Sequence, residues 1–137
     1  MRRSGRALGA LALVVAVRTA AGAADAPPSR TTPDRIYTDA QAARGKQAYE
    51  QACVQCHALD FYRGETMKSW DGGSMSDLYD AVSVRMPPGN PGSLKRREYA
   101  DILAYLLSLN GMPAGREELS SRAADLKAIR IKWGTKR

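Results

Sequence analysis

Apolar residues recur at helical spacing along much of the chain, and this pattern predicts an all-α protein. The clearest stripe lies in residues 96–109 and stops at Asn110–Gly111, which is a typical end of a helix. Its apolar members are Tyr99, Ile102, Leu103, Leu106 and Leu107. A second helix is predicted over 39–52, because Thr38 and Gln41 can form a capping box before it. No stretch alternates between apolar and polar residues as a half-buried strand would.

Two further helices are predicted from weaker signals. Ser76 is expected to cap a helix over 77–85, which must end before Pro87 because the residue preceding a proline avoids helical backbone. A last helix is expected over 117–131. Its apolar face would consist of Leu119, Ala123, Leu126 and Ile129. Residues 58–75 are polar and contain glycine, so they predict a loop with at most a turn of helix.

The ends of the chain differ from its middle. Residues 1–24 predict a secretory signal peptide, with a basic start, an apolar stretch of 11 residues and the small-residue cleavage site Ala21-Gly22-Ala23. That stretch is too short to span a bilayer, so we expect a periplasmic protein without stable membrane insertion. The predicted remainder is an irregular segment at 25–37, one helical domain at 38–112 and a C-terminal extension at 113–137.

The net charge of +7 suggests nucleic-acid binding, but the distribution of charge argues against it. Residues 38–112 hold 8 basic and 9 acidic side chains, whereas residues 113–137 hold 7 basic and 3 acidic ones. The excess is therefore located in the leader and at the C-terminus. The acid-free basic end is either a solvated tail or a docking element for an acidic partner. It consists of Lys127, Arg130, Lys132, Lys136 and Arg137.

The candidate chemistry lies in the segment Cys53-Val54-Gln55-Cys56-His57. C-x-x-C-H is the attachment pattern of c-type haem, because two thiols three residues apart project from one side of a helix end and the next histidine can bind iron. Three other interpretations compete. A thiol–disulfide centre would need a preceding strand. Zinc would need four ligands, and the chain has 2 cysteines and 1 histidine. A structural disulfide would leave His57 without a role.

A sixth iron ligand must come from elsewhere, and the candidates are Met67, Met75, Met86 and Met112. A buried methionine more often fills a core than binds a metal. Met86 differs because Pro87 ends its helix and holds it on a stiff loop, far enough from His57 for the chain to pass round a haem edge. We therefore predict Met86 as the ligand. An iron without a sixth protein ligand is the main alternative.

The chain resembles a small monohaem class I c-type cytochrome over residues 38–115. The matching segments are 43–49, 53–57, Met86-Pro87-Pro88 and 99–106. The resemblance implies an all-α fold of three to five helices around one covalent haem c. The implied binding residues are Cys53, Cys56, His57 and Met86, with His57 and Met86 as axial ligands.

The same resemblance implies that the first and last helices of the domain cross beside the haem. The matching positions are Gly45 and Tyr49 on the first helix and Ile102 and Tyr105 on the last. Gly45 would then let an aromatic ring approach the backbone. The family often has a proline soon after the histidine, but this chain has none before Pro87. The acceptor that orients the His57 imidazole is therefore not identified.

The predicted function is periplasmic electron transfer without catalysis. A narrower similarity, in residues 86–94 with Tyr99 and residues 110–115, is to cytochromes that partner quinoprotein dehydrogenases. It implies a dehydrogenase as donor and an oxidase or another cytochrome as acceptor. One alternative is a fixed haem subunit of a larger dehydrogenase, which the C-terminal extension favours. The other is a five-coordinate haem sensor or peroxidase.

Overall fold

The computed structural model describes residues 30–133, which fold into five α-helices and two short strands. The helices are α1 (Asp39–Ala52), α2 (Glu65–Lys68), α3 (Met75–Ser83), α4 (Arg96–Leu109) and α5 (Ala123–Lys127). Single 3-10 turns lie at Thr32–Asp34 and Leu59–Tyr62. The strands β1 (Arg30–Thr31) and β2 (Ile129–Arg130) pair in parallel. The predicted signal peptide lies outside the described residues.

The two longest helices begin and end where their sequences predict. The Thr38 hydroxyl accepts the Gln41 N–H at 3.1 Å and begins α1. Asn110 caps the end of α4, and Gly111 follows with a φ of 75°, a left-handed conformation that glycine adopts without a side-chain clash. Within residues 30–133, no helix is long and apolar enough to cross a membrane. The fold is mostly helical, as predicted for a class I c-type cytochrome.

The expectation that Ser76 caps α3 is wrong, because the helix begins two residues earlier. Ser74 is the N-cap, and its hydroxyl accepts the Asp77 N–H at 3.1 Å. The Asp77 carboxylate accepts the Ser74 N–H at 3.1 Å in return. This reciprocal capping box satisfies backbone groups at both positions, which a cap at Ser76 would leave unpaired. The helix ends at Ser83, before the predicted residue 85.

The prediction of a helix over 117–131 is also wrong, except for the five residues that form α5. Its backbone hydrogen-bonds to distant partners instead: β2 pairs with β1, and the Ile131 N–H donates to the Gly73 carbonyl at 2.8 Å. Leu119, Leu126 and Ile129 are buried as their apolar character predicts, whereas Ala123 is exposed. Tertiary hydrogen bonds therefore replace helical ones along this segment.

Helices α1 and α4 cross in the centre of the molecule, and Gly45 permits their contact. A Cβ at Gly45 would lie 1.8 Å from the carbonyl oxygen of Asp101. The prediction of a close approach is thus confirmed, but the approaching group is the backbone of α4 and not an aromatic ring. The aromatic contact is one turn away, where the ring centroids of Tyr49 and Tyr105 are 5.7 Å apart.

The hydrophobic core extends into both segments that flank residues 38–112. We call residues 30–37 and 113–133 together the terminal strap. Its buried apolar side chains are Ile36, Tyr37, Leu119, Leu126, Ile129 and Ile131. Thr32 joins its two parts, since its hydroxyl donates to the Lys132 carbonyl at 2.6 Å and accepts the Lys132 N–H at 2.9 Å.

Candidate functional site

An apolar cavity lies between the C-terminal end of α1, the loop after α3 and one face of α4. Its lining residues are Tyr49, Ala52, Cys53, Cys56, His57, Tyr62, Val82, Met86, Pro88, Ile102 and Leu106. The four residues predicted from the sequence as haem-binding are all among them. The chain thus brings two thiols, an imidazole and a thioether to one apolar space, although Met86 comes from a different element than the other three.

The other candidate methionines lie elsewhere. Met67, Met75 and Met112 are 1%, 0% and 7% exposed and belong to the hydrophobic core. Met67 also accepts the Trp133 indole N–H at its backbone carbonyl, 2.7 Å away, which ties α2 to the strap. Of the methionines in residues 30–133, Met86 alone lines the cavity.

His57 is held by α1 and by aromatic neighbours. The backbone N–H of His57 donates to the Cys53 carbonyl at 3.0 Å, and the backbone carbonyl of His57 accepts the Tyr49 hydroxyl at 2.6 Å. The imidazole packs on Phe61 with a centroid distance of 5.3 Å and on Tyr62 at 5.5 Å. These contacts restrict the imidazole plane. The roles of Tyr49 and Phe61 on this side were not predicted from the sequence.

Met86 is held in a similar way by α3 and α4. Its N–H donates to the Val82 carbonyl at 2.9 Å, just beyond the end of α3. Its carbonyl accepts the Tyr99 hydroxyl at 2.7 Å. The apolar stripe of α4 placed Tyr99 in the core, but no spacing signal in the sequence pairs it with Met86.

The electrostatics of the cavity follow from burial. Burial raises the pKa of the Cys53 thiol, so this thiol stays protonated at neutral pH. Burial, together with the nearby Cys53 and Tyr49, raises the pKa of Tyr62 to about 12. Redox-active cysteines depend on a lowered thiol pKa, so Cys53 does not suit the thiol–disulfide interpretation.

The donor set does not suit zinc either. Within residues 30–133, no three side chains of histidine, cysteine, aspartate or glutamate come together as a metal-binding cluster. An apolar cavity with paired thiols, one imidazole and one thioether fits haem c, because the thiols can form thioethers and the other two groups can bind iron.

The all-α fold and the residues that line the cavity support a small c-type cytochrome. Comparison with family models agrees: residues 40–106 match the family described as cytochrome c oxidase, cbb3-type, subunit III. The match includes most of α1, the C-x-x-C-H motif, Met86 and most of α4. It supports haem-based electron transfer as the general function. No curated protein and no solved structure matches the chain.

Proposed function

We propose that the protein is a periplasmic one-electron carrier, with haem c attached to Cys53 and Cys56 and ligated by His57 and Met86. The observation that carries this proposal is the presence of His57 and Met86 in the lining of the cavity that both cysteines share. When bound, haem c supplies a one-electron iron couple, and a methionine ligand raises its potential.

The protein side chains would favour electron transfer over catalysis. If His57 and Met86 fill both axial positions, no position remains for a substrate. Val82, Ile102 and Leu106 line the cavity with aliphatic groups, which would keep water away from a bound haem. A site of low polarity disfavours the additional positive charge of the oxidised state. The apolar lining of the cavity and the methionine ligand would therefore both raise the reduction potential.

The exposed apolar side chains suit a transient contact with a redox partner. Among residues 30–133, the exposed large hydrophobic residues are Val54, Phe61 and Val84, at 45%, 51% and 65%. Val54 lies within the C-x-x-C-H motif, Phe61 packs on His57, and Val84 is two residues before Met86. Exposed apolar side chains next to the binding residues suit the weak interfaces of electron-transfer proteins. The expected partners are a periplasmic dehydrogenase and an oxidase or another cytochrome.

Optical spectra of the exported protein, oxidised and reduced, test the proposal. We expect a far-red band from a sulfur–iron bond in the oxidised form and no carbon monoxide binding to the reduced form at neutral pH. Haem should also stay with the chain during acid–organic extraction. Ready carbon monoxide binding by the wild type would instead favour the sensor or peroxidase alternative.

A fixed subunit of a larger enzyme is the second candidate. The matched family is described as an oxidase subunit, and this description favours assembly. The C-terminal extension no longer does so, because residues 113–133 pack on their own chain and Leu126 and Ile131 are buried there. Copurification under native conditions discriminates between the two: a carrier should elute alone, and a subunit should elute with its enzyme.

A further inference from the structure

The backbone of Met86 is held on two sides by residues of two different helices. On one side, its N–H donates to Val82 at 2.9 Å, so that the chain continues directly from α3. On the other side, its carbonyl accepts the Tyr99 hydroxyl from α4 at 2.7 Å. The Met86 carbonyl also accepts the Gly92 N–H at the longer distance of 3.4 Å, and this bond closes the loop. The Tyr99 bond is therefore the stronger of the two that restrain the carbonyl.

The Tyr99 side chain is held in place beside this loop by its packing in the core. Its side chain is 3% exposed, and its ring meets that of Tyr79 edge-on at a centroid distance of 6.1 Å. Its helix is located by the backbone contact between Gly45 and Asp101. The hydroxyl cannot follow a movement of the loop without disturbing this packing. A buried hydroxyl that lost its acceptor would also stay without a partner, which is costly.

We propose that Tyr99 is a positioning residue, which holds the Met86 backbone so that the thioether stays in the cavity. This inference rests on the proposed function, in which Met86 binds the iron. Tyr99 is outside the cavity lining, so it acts through Met86 and not by contact with the haem. Tyr49 makes an equivalent bond to the His57 carbonyl at 2.6 Å, so each of the two residues that would bind the iron has a tyrosine hydroxyl on its carbonyl.

Displacement of Met86 by added imidazole in the oxidised holoprotein tests the inference. Tyr99→Phe removes the hydroxyl and keeps the ring. We expect imidazole to bind about fivefold more tightly to this variant, as measured by loss of the far-red band, because one hydrogen bond no longer opposes release of the loop. Tyr79→Phe is the matched control, since the Tyr79 hydroxyl donates to the Arg96 carbonyl at 3.0 Å and the residue is 7% exposed. It should bind imidazole as the wild type does.

An imidazole titration in a Met86→Ala background separates positioning from general loosening. Because this background has no far-red band, binding is followed there by the shift of the main haem absorption band. If Tyr99 acts through Met86, Tyr99→Phe should not change imidazole affinity once the thioether is gone. An equal gain in both backgrounds, or an equal gain for Tyr79→Phe and Tyr99→Phe, would overturn the positioning role while the wild-type far-red band still supported Met86 ligation. A wild type without that band would overturn the proposed ligation itself, and with it the inference.

Discussion

The haem-binding region, residues 49–62 together with 82–106, and the terminal strap are held by different kinds of interaction. The haem-binding region depends on short motifs, with Cys53, Cys56 and His57 on one segment and Met86 next to Pro87 on another. The strap depends on buried apolar side chains and on hydrogen bonds across 78 residues at Gln41 or 100 residues at Thr32. A ligand set of this kind can be recognised locally, whereas a strap depends on where the rest of the fold places its partners.

Met86→Ala should give the largest effect, and it should be confined to the haem-binding region. The sixth position would open to water, so the oxidised protein should lose its far-red band and the reduced protein should bind carbon monoxide. The potential should fall, because an oxygen ligand stabilises ferric iron better than a thioether does. Spectroscopy and potentiometry measure both changes.

Two variants sharpen the Met86 test. Met86→His should keep six ligands and still lower the potential, since imidazole donates more strongly than a thioether. Met75→Leu should leave the spectrum unchanged, because Met75 is 0% exposed in the core and outside the cavity lining. The ligand assignment fails if Met75→Leu removes the far-red band and Met86→Ala keeps it.

Ile131→Ala tests the strap alone. Ile131 is 1% exposed, and its loss leaves a cavity in the core. We expect the free energy of unfolding to fall by about 3 kcal/mol, as for other large-to-small core substitutions. Denaturant unfolding measures this change, and the far-red band of the folded protein should stay the same.

Lys132→Ala is the matched control for Ile131→Ala. The Lys132 side chain is exposed, and the Thr32 bonds use its backbone atoms only. Its unfolding midpoint should equal that of the wild type. If Ile131→Ala also proves neutral, then residues 127–133 form a solvated tail in solution, as one of the two interpretations of the basic end proposed.

Gln41→Ala should have an intermediate effect on the attachment of the strap to α1. The buried Gln41 amide donates to the Leu119 carbonyl at 3.0 Å and accepts the Leu119 N–H at 2.7 Å, as a strand neighbour would. Loss of both bonds leaves two buried backbone groups without partners and should lower stability by about 2 kcal/mol. Gln47→Ala removes an exposed glutamine from the same helix and should change stability much less. Equal midpoints for the two variants would contradict this role.

The smallest expected effect concerns Glu118 in the terminal strap, which should make the stability of the protein depend on pH. The Arg44 hydrogen bond at 2.8 Å, helped by Arg97, holds the pKa of the Glu118 carboxyl below its ordinary value. A lowered pKa in the folded state stabilises the protein above the ordinary glutamate pKa, and this contribution is lost as the pH falls through the lowered value. It should be below about 1 kcal/mol, because the pair is partly exposed.

Glu118→Gln should therefore flatten the loss of stability between roughly pH 5 and pH 3, the range in which glutamate titrates. Unfolding midpoints measured across this range at low salt would show the change. At high salt the wild type and the variant should converge, since salt screens exposed charges. If the unfolding midpoints of the wild type and the variant fall with pH at the same slope at low salt, the Glu118 carboxylate contributes nothing to stability.

Where the sequence analysis failed, the missing information was in distant partners. The helix predicted over 117–131 had suitable apolar spacing, but that spacing says only that Leu126 and Ile129 are buried. The backbone of residues 128–131 forms hydrogen bonds with Gly73 and with β1, which no local pattern indicates. The capping error at Ser76 has a different cause, because Ser74 and Asp77 form a better box that was readable in the sequence.

Local chemistry by itself determined α1, α4 and the set of four candidate binding residues. Capping residues, apolar periodicity and the C-x-x-C-H spacing act within a few residues of chain, so they can be recognised without the fold. Tertiary structure alone decided that Gly45 admits the α4 backbone, that Tyr99 holds Met86, and that residues 30–37 and 113–133 form the terminal strap. The reason is that each of these contacts joins groups far apart in the chain, and their geometry exists only after α1 and α4 have crossed.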